Sequence, residues 1–399
     1  MRAVAMASPE LGSTAMSRAY SVPSLATIRL GDEMAGKTIV LGLALMLAAA
    51  PGHAQTQLET RVEGLEHPWS LAFLPDGRML VTEKPGRLRL VAADGTLSDP
   101  LSGVPEVLYS GQGGLLDVAL HPDFETNGWV YLTWSEGRPR DNTLHLGRGR
   151  LESGALRDFE TLFSATPRRR TDVHYGGRVA FLADGSLLLG IGEGFDFREQ
   201  AQNPQNHFGS FVHLADDGAP LSAAFDGAAP GVFSIGHRNP QAVVVDPVTG
   251  TVYANEHGPQ GGDEINVLVE GSNYGWPIAS HGIDYTGALV TPFEAYAGMT
   301  DPVHVWVPSI APAGMAIYRG DMFADWDGDL LVAALISGDA DVPSGHVRRV
   351  DLENGTVAGE EVLFGELEAR IRDVRVAPDG AVWLVTDEEN GRLVRVSRE

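Results

Sequence analysis

The segment Leu71–Glu83 reads LAFLPDGRMLVTE and contains the pattern from which the fold of this chain follows. Two short runs of apolar residues flank Pro75, Asp76 and Gly77. Proline, aspartate and glycine favour tight turns, so the segment predicts two antiparallel strands joined as a β-hairpin. Apolar residues alternate along the strands, as expected where one sheet packs against the next.

The same unit occurs six times along the chain. Each copy has an apolar strand, a turn that contains aspartate and a second apolar strand, and the copies are LAFLPDGRMLVTE at Leu71, VALHPDFETNGWVYLTW at Val118, VAFLADGSLLLGIGE at Val179, VVVDPVTGTVYANE at Val243, MAIYRGDMFADWDGDLLVAAL at Met315 and VRVAPDGAVWLVTDE at Val374. Subtraction of the numbers of their turn aspartates gives intervals of 47 to 75 residues. Compact blade repeats have roughly 40 to 50 residues, so most of these intervals are longer. The additional residues are expected to form loops on one face of the propeller.

We therefore predict an all-β fold, a six-bladed β-propeller of four-stranded antiparallel blades. This arrangement leaves only short, protected sheet edges, and a two-sheet sandwich is the alternative. The segment Leu58–Val62 is expected to close the ring as a strand added to the last blade. Loops at one end of a propeller surround its central channel, where we expect the functional site.

The beginning of the chain has the features of an export signal. Lys37 precedes the apolar run Ile39–Ala50, and Pro51 to Ala54 follow it, which is the order of a secretory signal. The run is shorter than the roughly 20 residues that span a bilayer. We predict an N-terminal extension with a signal peptide over residues 1–54, the propeller domain over residues 55–399, a periplasmic or secreted location and no stable membrane insertion.

Composition excludes several classes of function. The formal net charge of −24 argues against nucleic acid as a partner. The chain contains no cysteine, so disulfides and thiolate chemistry are excluded. Lys84 is the only lysine after the predicted leader, in a sequence otherwise dependent on arginine for positive charge.

The stretch Asn255–Pro277, NEHGPQGGDEINVLVEGSNYGWP, combines chain breakers with oxygen donors. Gly258 and Pro259 favour an irregular backbone whose carbonyl groups are not used in a sheet, and Glu264 provides a carboxylate nearby. Such oxygen ligands favour calcium. A polar loop between two strands is the alternative interpretation.

Two further features suggest oxidation of a substrate next to an anionic ligand. Arg238, Arg370 and Arg372 recur in equivalent loops of an acid-rich chain, which makes sense if a multiply charged anion binds there. His174 precedes paired glycines and could act as a base, oriented by Asp172 or Glu193. A GxGxxG turn followed by a helix is missing, which argues against a nicotinamide cofactor.

At these residues the chain closely resembles the soluble quinoprotein sugar dehydrogenases, the aldose sugar and glucose dehydrogenases that use pyrroloquinoline quinone (PQQ) on a six-bladed propeller. The likeness spans roughly residues 60–398. The motifs that carry it occur in the family's order and are GQGGLL, DVHYGGR, GHRNPQ, EHGPQGGDEIN with NYGWP, PSIAPAG and RIRDVR.

The resemblance implies that His174 is the general base that removes the proton of the sugar's anomeric hydroxyl. It also implies that Arg238 with Asn239 binds PQQ and polarises its reactive carbonyl. Further PQQ contacts are implied for Gln112, Asp172, Ser309, Arg370 and Arg372. The implied calcium ligands are the carbonyl groups of Gly258 and Pro259 at a catalytic Ca²⁺, and Glu264 with the backbone of Tyr274 at a structural one.

The sequence departs from the family pattern near Ile336, where glucose dehydrogenases have a lysine on the cofactor. We expect that contact to be missing, with no lysine to replace it. Implied partners are an aldose substrate and an external electron acceptor, and the protein is expected to be a monomer or homodimer. A calcium-dependent lactonase or esterase and a non-catalytic carbohydrate-binding propeller are the alternative functions.

Overall fold

The fold is known from a computed structural model, which describes residues 56–353 and 355–398. The predicted extension and signal peptide, residues 1–54, lie outside the described residues. The strands of the described part, in chain order, are β1 Thr56–Leu65, β2 Pro68–Phe73, β3 Met79–Glu83, β4 Arg87–Val91, β5 Leu115–Leu120, β6 Trp129–Arg138, β7 Asp141–Glu152, β8 Ala155–Ser164, β9 Gly176–Phe181, β10 Leu187–Ile191, β11 Ser210–Leu214, β12 Val232–Ile235, β13 Pro240–Val245, β14 Val252–Glu256, β15 Asp263–Val267, β16 His304–Trp306, β17 Pro312–Ile317, β18 Leu330–Ala334, β19 His346–Glu353, β20 Thr356–Leu363, β21 Ile371–Val376, β22 Val382–Thr386 and β23 Gly391–Arg398.

These strands form six antiparallel sheets that are arranged as the blades of a propeller. In chain order the blades consist of β2–β4, β5–β8, β9–β12, β13–β16, β17–β20 and β21–β23 with β1. The innermost strands β2, β5, β9, β13, β17 and β21 each pack against the next, and β21 packs against β2, so the ring closes. The predicted six-bladed propeller is confirmed.

Ring closure uses the N-terminal strand as predicted. β1 pairs with β23, so that Leu58 lies opposite Val396 and Val62 lies opposite Leu393. Blade 6 is therefore built from both ends of the described chain. Blade 1 has three named strands, and a single antiparallel bridge from Val91 to Leu97 stands at the position of its fourth strand.

Apolar side chains fill the space between neighbouring blades, as the alternating pattern predicts. Between blades 6 and 1, for example, Leu71 and Val81 pack with Trp383, Val385 and Leu393 in one buried cluster. Burying each such side chain contributes about 1.5–3 kcal/mol. The blades are thus held together by contacts between flat sheet faces.

Helix is scarce in the described residues. They contain one short α-helix, α1 Phe124–Asn127, and three 3₁₀ turns at Arg198–Gln202, Ala324–Trp326 and Gly365–Leu367. Among them, no helix has the length and apolar character needed to cross a bilayer.

Candidate active site

The predicted site residues meet at one end of the propeller because of hairpin geometry. In each blade the inner strand begins, and the second strand ends, at the same edge of the antiparallel sheet. Residues just before inner strands are Gln112, His174, Arg238, Ser309 and Arg370, and residues just after second strands are Lys84, Glu193, His257 and Asp387. Both groups therefore surround the same opening.

A cavity of about 310 Å³ lies at this opening, and all six blades contribute to it. Its walls are formed by Trp69, Lys84, Gly111, Gln112, Leu116, Tyr175, Gly176, Gln241, His257, Ala311, Leu335, Arg370, Arg372 and Asp387. The volume is within the range of small-molecule sites. The propeller axis thus carries a polar pocket of ligand size.

One wall of the cavity carries surplus positive charge. Arg370 and Arg372 both form ion pairs with Asp387, with Nη2–Oδ2 distances of 3.4 and 2.5 Å. Arg372, Arg370 and Lys84 together hold the pKa of Asp387 well below its usual range, although burial acts in the opposite direction. Two arginines thus share one carboxylate, with Lys84 nearby, and this excess of positive charge suits an anionic ligand.

The buried side chain of Arg178 contacts the backbone of several cavity residues. Its guanidinium donates hydrogen bonds to the backbone carbonyl groups of Trp69, Gln241 and Arg372 at 3.5, 2.9 and 3.2 Å. The same guanidinium forms ion pairs with Asp117 and Asp373. Arg178 therefore connects cavity residues from blades 1, 4 and 6.

His174 lies beside the cavity in a strained, buried position. Its φ of 52° is in the left-handed region, and its side chain is 6% exposed. Its backbone N–H donates to Gln112 Oε1 at 2.7 Å, and Arg169 donates to its carbonyl oxygen at 2.6 Å. Such strain is maintained only where surrounding contacts fix it, so the orientation of this histidine is well defined.

Glu193 rather than Asp172 orients the imidazole. His174 Nδ1 lies 3.2 Å from Glu193 Oε1, so that Nδ1 donates its proton to the carboxylate and Nε2 is left as an acceptor. Asp172 instead accepts hydrogen bonds from Ser110 Oγ and, through its backbone carbonyl group, from the Gln112 N–H. Burial lowers the pKa of His174, an effect that the Glu193 hydrogen bond opposes and Arg238 reinforces.

Arg238 lies between the histidine and the glycine-rich loop. Its Nη1 donates to Gly258 O at 2.6 Å and to His257 O at 3.1 Å. A Cβ atom at Gly258 would lie 2.3 Å from the carbonyl oxygens of Gly261 and Gly262. Several main-chain oxygens therefore converge here, and two of them already accept from a cation, so the donor set fits Ca²⁺.

A second acidic pocket lies behind this loop. The side chains of Glu256 and Glu264 are opposite each other on β14 and β15, and Tyr274 lines the same pocket. Burial and the nearby carboxylate of Glu256 raise the pKa of Glu264 well above its usual value. Asn266 Oδ1 is buried there without a hydrogen-bond partner. Unpaired oxygen donors and close carboxylates also fit a hard cation.

Side chains alone do not provide a metal cage in the part of the chain that the structure describes. Within residues 56–353 and 355–398, no group of three or more His, Asp or Glu side chains is placed to hold an ion. A cation at either pocket would therefore depend on main-chain carbonyl groups, which is what the family resemblance implies for Gly258, Pro259 and Tyr274.

A model of the glucose/sorbosone dehydrogenases matches residues 65–395, which cover nearly the whole ring just described. The chain belongs to the glucose/sorbosone dehydrogenase family. One of its relatives comes from Escherichia coli. The chain is 41% identical over 365 residues to aldose sugar dehydrogenase YliI of strain K12, covering 89% of this chain and 96% of the relative.

Solved structures agree with this assignment. The apo form of the E. coli soluble aldose sugar dehydrogenase superposes with a TM-score of 0.81 at 38% identity, over 86% of this chain and 100% of that one. The PQQ-bound form of the aldose sugar dehydrogenase from Streptomyces coelicolor superposes with a TM-score of 0.69 at 29% identity, over 87% and 99%. The family resemblance inferred from the motifs is confirmed.

Ser309 lies in the loop before the inner strand of blade 5, where its hydroxyl bonds a carboxylate of blade 4. The Ser309 hydroxyl donates to Asp263 Oδ2 at 2.6 Å, and Ile310 and Ala311 N–H groups donate to the same oxygen at 2.8 Å. Burial raises the pKa of Asp263 to about 6, and these donors keep it ionised at neutral pH. Ala311 is the part of this loop that lines the cavity, so a direct ligand contact from Ser309 stays a prediction.

Asn239 has a similar supporting arrangement. Its Oδ1 accepts hydrogen bonds from Gly176 N at 3.3 Å and from Gln241 Nε2 at 3.2 Å. The Asn239 side chain therefore connects Gly176, in the loop after His174, to the cavity residue Gln241. Its contact with a cofactor stays a prediction.

A lysine does line the cavity of this dehydrogenase-family chain, although not at the position near Ile336 where the contact is expected to be missing. Ile336, near which the glucose dehydrogenases have their lysine, is 38% exposed. Lys84 nevertheless lines the cavity from blade 1. Lys84 reaches the cavity because it is the first residue after β3, the second strand of blade 1.

Several other wall residues were missed from sequence, namely Trp69, Gln241, His257 and Asp387. His257 donates from Nε2 to Pro312 O at 2.8 Å, and burial together with Arg238 lowers its pKa to about 3, so it is neutral. A usable signal exists, because Lys84, His257 and Asp387 each occur at or just after the end of an apolar second strand.

Proposed function

We propose that this protein oxidises aldose sugars at the anomeric carbon to lactones in a PQQ-dependent reaction, and passes the electrons to an external acceptor. The family and its relatives support sugar dehydrogenase activity, and a relative binds PQQ. The observation that carries the proposal here is the cationic wall of Arg370, Arg372 and Lys84 beside the buried His174–Glu193 pair.

In this proposal, side chains of the protein remove the substrate proton and stabilise the charge that results. Nε2 of His174 removes the proton of the anomeric hydroxyl while the C1–H bond breaks and the C=O bond of the lactone forms. Glu193, on Nδ1, stabilises the imidazolium that results. Bound PQQ would supply the oxidant that takes up the hydride leaving C1. Burial of the pair excludes water from the proton-transfer step.

The positions proposed for the cofactor follow from charge and hydrogen-bonding capacity. Arg370 and Arg372 would pair with its carboxylates, and Gln112 contributes its side-chain N–H₂ group from the opposite wall. Arg238 with Asn239 would bind on the His174 side, and Asp172 and Ser309 would support the adjoining loops.

Ca²⁺ is proposed at both oxygen-rich pockets. The carbonyl groups of Gly258 and Pro259 would hold a catalytic ion, which would supply Lewis acidity next to the cofactor. Arg238 would then have to release Gly258 O, to which it donates here. Glu264 and the backbone of Tyr274 would hold a structural ion in the second pocket.

The remaining expectations on cellular context are part of the same proposal. An enzyme of this kind works in the periplasm or outside the cell, where an external acceptor takes up the electrons, and it acts as a monomer or homodimer. A lactonase-type site is less consistent with the described residues, because among them no three carboxylate or histidine side chains converge on one point.

Reconstitution tests the proposal directly. The purified protein is mixed with Ca²⁺ and PQQ, a panel of aldoses is added, and the absorbance of the quinone is followed. We expect aldose-dependent reduction of the quinone, and lactone as the product. Quinone binding without reduction by any aldose would instead favour a non-catalytic carbohydrate-binding propeller.

The second pocket makes a separate prediction about stability. Ca²⁺ should raise the melting temperature of the parent protein, since a ligand at a hundredfold excess over its Kd adds about 2.7 kcal/mol to the unfolding free energy. In Glu264→Gln this increase should shrink, while the calcium-free protein should melt at a higher temperature because a buried carboxylate repulsion is removed. Differential scanning calorimetry with Ca²⁺ and with a chelator measures both effects.

Glu270→Gln is the matched control for this experiment. Glu270 is an exposed glutamate on the same segment and bonds Ser222 at the surface. It should leave the calcium-dependent increase unchanged. An equal increase in Glu264→Gln and in the parent would remove Glu264 from the calcium site.

A further inference from the structure

Lys84 is placed differently from every other charged residue of blade 1. It directly follows β3, and its side chain enters the cavity wall beside Trp69 and Gly111. Nζ donates one hydrogen bond, to Gly111 O at 3.2 Å, and lies 5.7 Å from the centre of the Tyr109 ring. A lysine ammonium has three protons to donate, so its hydrogen-bonding capacity is not used up.

The charge of Lys84 is not balanced within the protein. In the part of the chain that the structure describes, no carboxylate oxygen lies within the 4.0 Å ion-pair distance of its Nζ. The carboxylate that acts on the charge of Lys84 is that of Asp387, which already forms ion pairs with Arg370 and Arg372. Burial lowers the pKa of Lys84, and the two arginines lower it further.

Other basic residues of blade 1 show the contrast. Arg87 forms ion pairs with Glu66 and Glu83, and Arg78 pairs with Asp76 at the far end of the blade. An unpaired, partly buried ammonium next to two guanidinium groups destabilises the empty protein. A site that keeps such a group is expected to receive the missing negative charge from a ligand.

We propose that Lys84 is a third cationic contact for a polycarboxylate ligand in the cavity, joining Arg370 and Arg372 on its carboxylate groups. The inference rests on the proposed function, for which that ligand is PQQ. It assigns a binding role to Lys84, for which the family resemblance implied none. Besides its bond to Gly111 O, the ammonium has further N–H groups that would donate to a ligand carboxylate.

The contact also has a geometric basis. Gly111 precedes Gln112, which lines the cavity and accepts the backbone N–H of His174 at 2.7 Å. Lys84 thus borders the loop that fixes the proposed base. A ligand carboxylate on Lys84 would lie between this loop and the arginines of blade 6, and would connect the two walls.

Titration of the quinone with the parent protein and with Lys84→Met tests the proposal. In Ca²⁺ buffer, we expect the Kd for PQQ in Lys84→Met, measured by calorimetry or fluorescence quenching, to be about tenfold higher or more, the usual effect of losing a charged hydrogen bond. Lys84→Arg should stay close to the parent, because it keeps the charge. The loss of affinity should shrink at high salt, where charge attraction is screened.

Arg78→Met is the matched control, because it removes a cation of the same blade far from the cavity. It should bind PQQ like the parent, and melting curves confirm that all variants are folded. Equal Kd values for the parent and Lys84→Met would overturn the inference. Failure of the parent to bind PQQ at all would instead overturn the proposed function, so the two outcomes are distinguishable.

Discussion

Replacing His174 with alanine is expected to lower the rate of aldose oxidation by about a hundredfold or more, the usual contribution of a general base. The buried imidazole presents Nε2 as the acceptor because Nδ1 is occupied by Glu193. Alanine removes that acceptor without removing any of the cationic wall. Stopped-flow reduction of the bound quinone by glucose measures the effect on the chemical step, while titration should show nearly parental quinone affinity.

The pH profile gives a second measure of the same role. Because burial lowers the pKa of His174 from its ordinary value, the base form persists to lower pH than for a free imidazole, and the acid limb of kcat/KM should lie at lower pH than a free imidazole would give. Glu193→Gln removes an interaction that raises this pKa, so it should move the limb further towards acid.

His213→Ala is the control for the histidine experiment. His213 lies on β11 of the same blade and bonds Ser186 at 2.8 Å, away from the cavity. It should keep the parental rate. A His174→Ala protein as active as the parent would show that another group removes the proton.

The second large effect is expected for Arg372→Ala, which should weaken PQQ binding by about ten- to hundredfold. The Arg372 side chain is 11% exposed and Arg370 is 44% exposed, so screening by water is weaker at Arg372. Arg370→Ala should therefore have the smaller effect. Quinone titration at a fixed Ca²⁺ concentration gives both Kd values.

Arg395→Ala provides the matched comparison in blade 6. Arg395 pairs with Asp379 at 2.8 Å near the turn at the opposite end of the blade. Its removal should not change quinone affinity. If Arg372→Ala retained the parental Kd, Arg372 would have no part in the ligand site.

Most of the fold could be predicted because it depends on local features that repeat. A turn with aspartate between alternating apolar strands, as in Leu71–Glu83, specifies a hairpin wherever it occurs, and six hairpins require six blades. The pairing of β1 with β23 was predicted from Leu58–Val62 in the same way. The three-stranded form of blade 1 was not predicted, because the residues around the Val91–Leu97 bridge do not show the alternating pattern of a strand.

The site was predicted in part, and the omissions have one cause. Residues in distinctive motifs, such as His174 and Arg238, were found because their neighbours are unusual. Lys84, Gln241 and Asp387 sit in ordinary strand ends, and their role depends on which side chains the ring brings next to them. Whether Glu193 or Asp172 orients His174 likewise depended on a distance between two loops of the same blade, which no spacing in the sequence gives.

The seam at which the ring closes also has a consequence for the ligand. Blade 6 is completed by the β1–β23 pair, and its neighbour across the seam is blade 1. The cavity wall spans this junction, with Asp387 and the two arginines on one side and Lys84 on the other. An anion bound by both sides would connect blade 6 to blade 1. Its binding would therefore also raise the free energy needed to separate the two blades and open the ring.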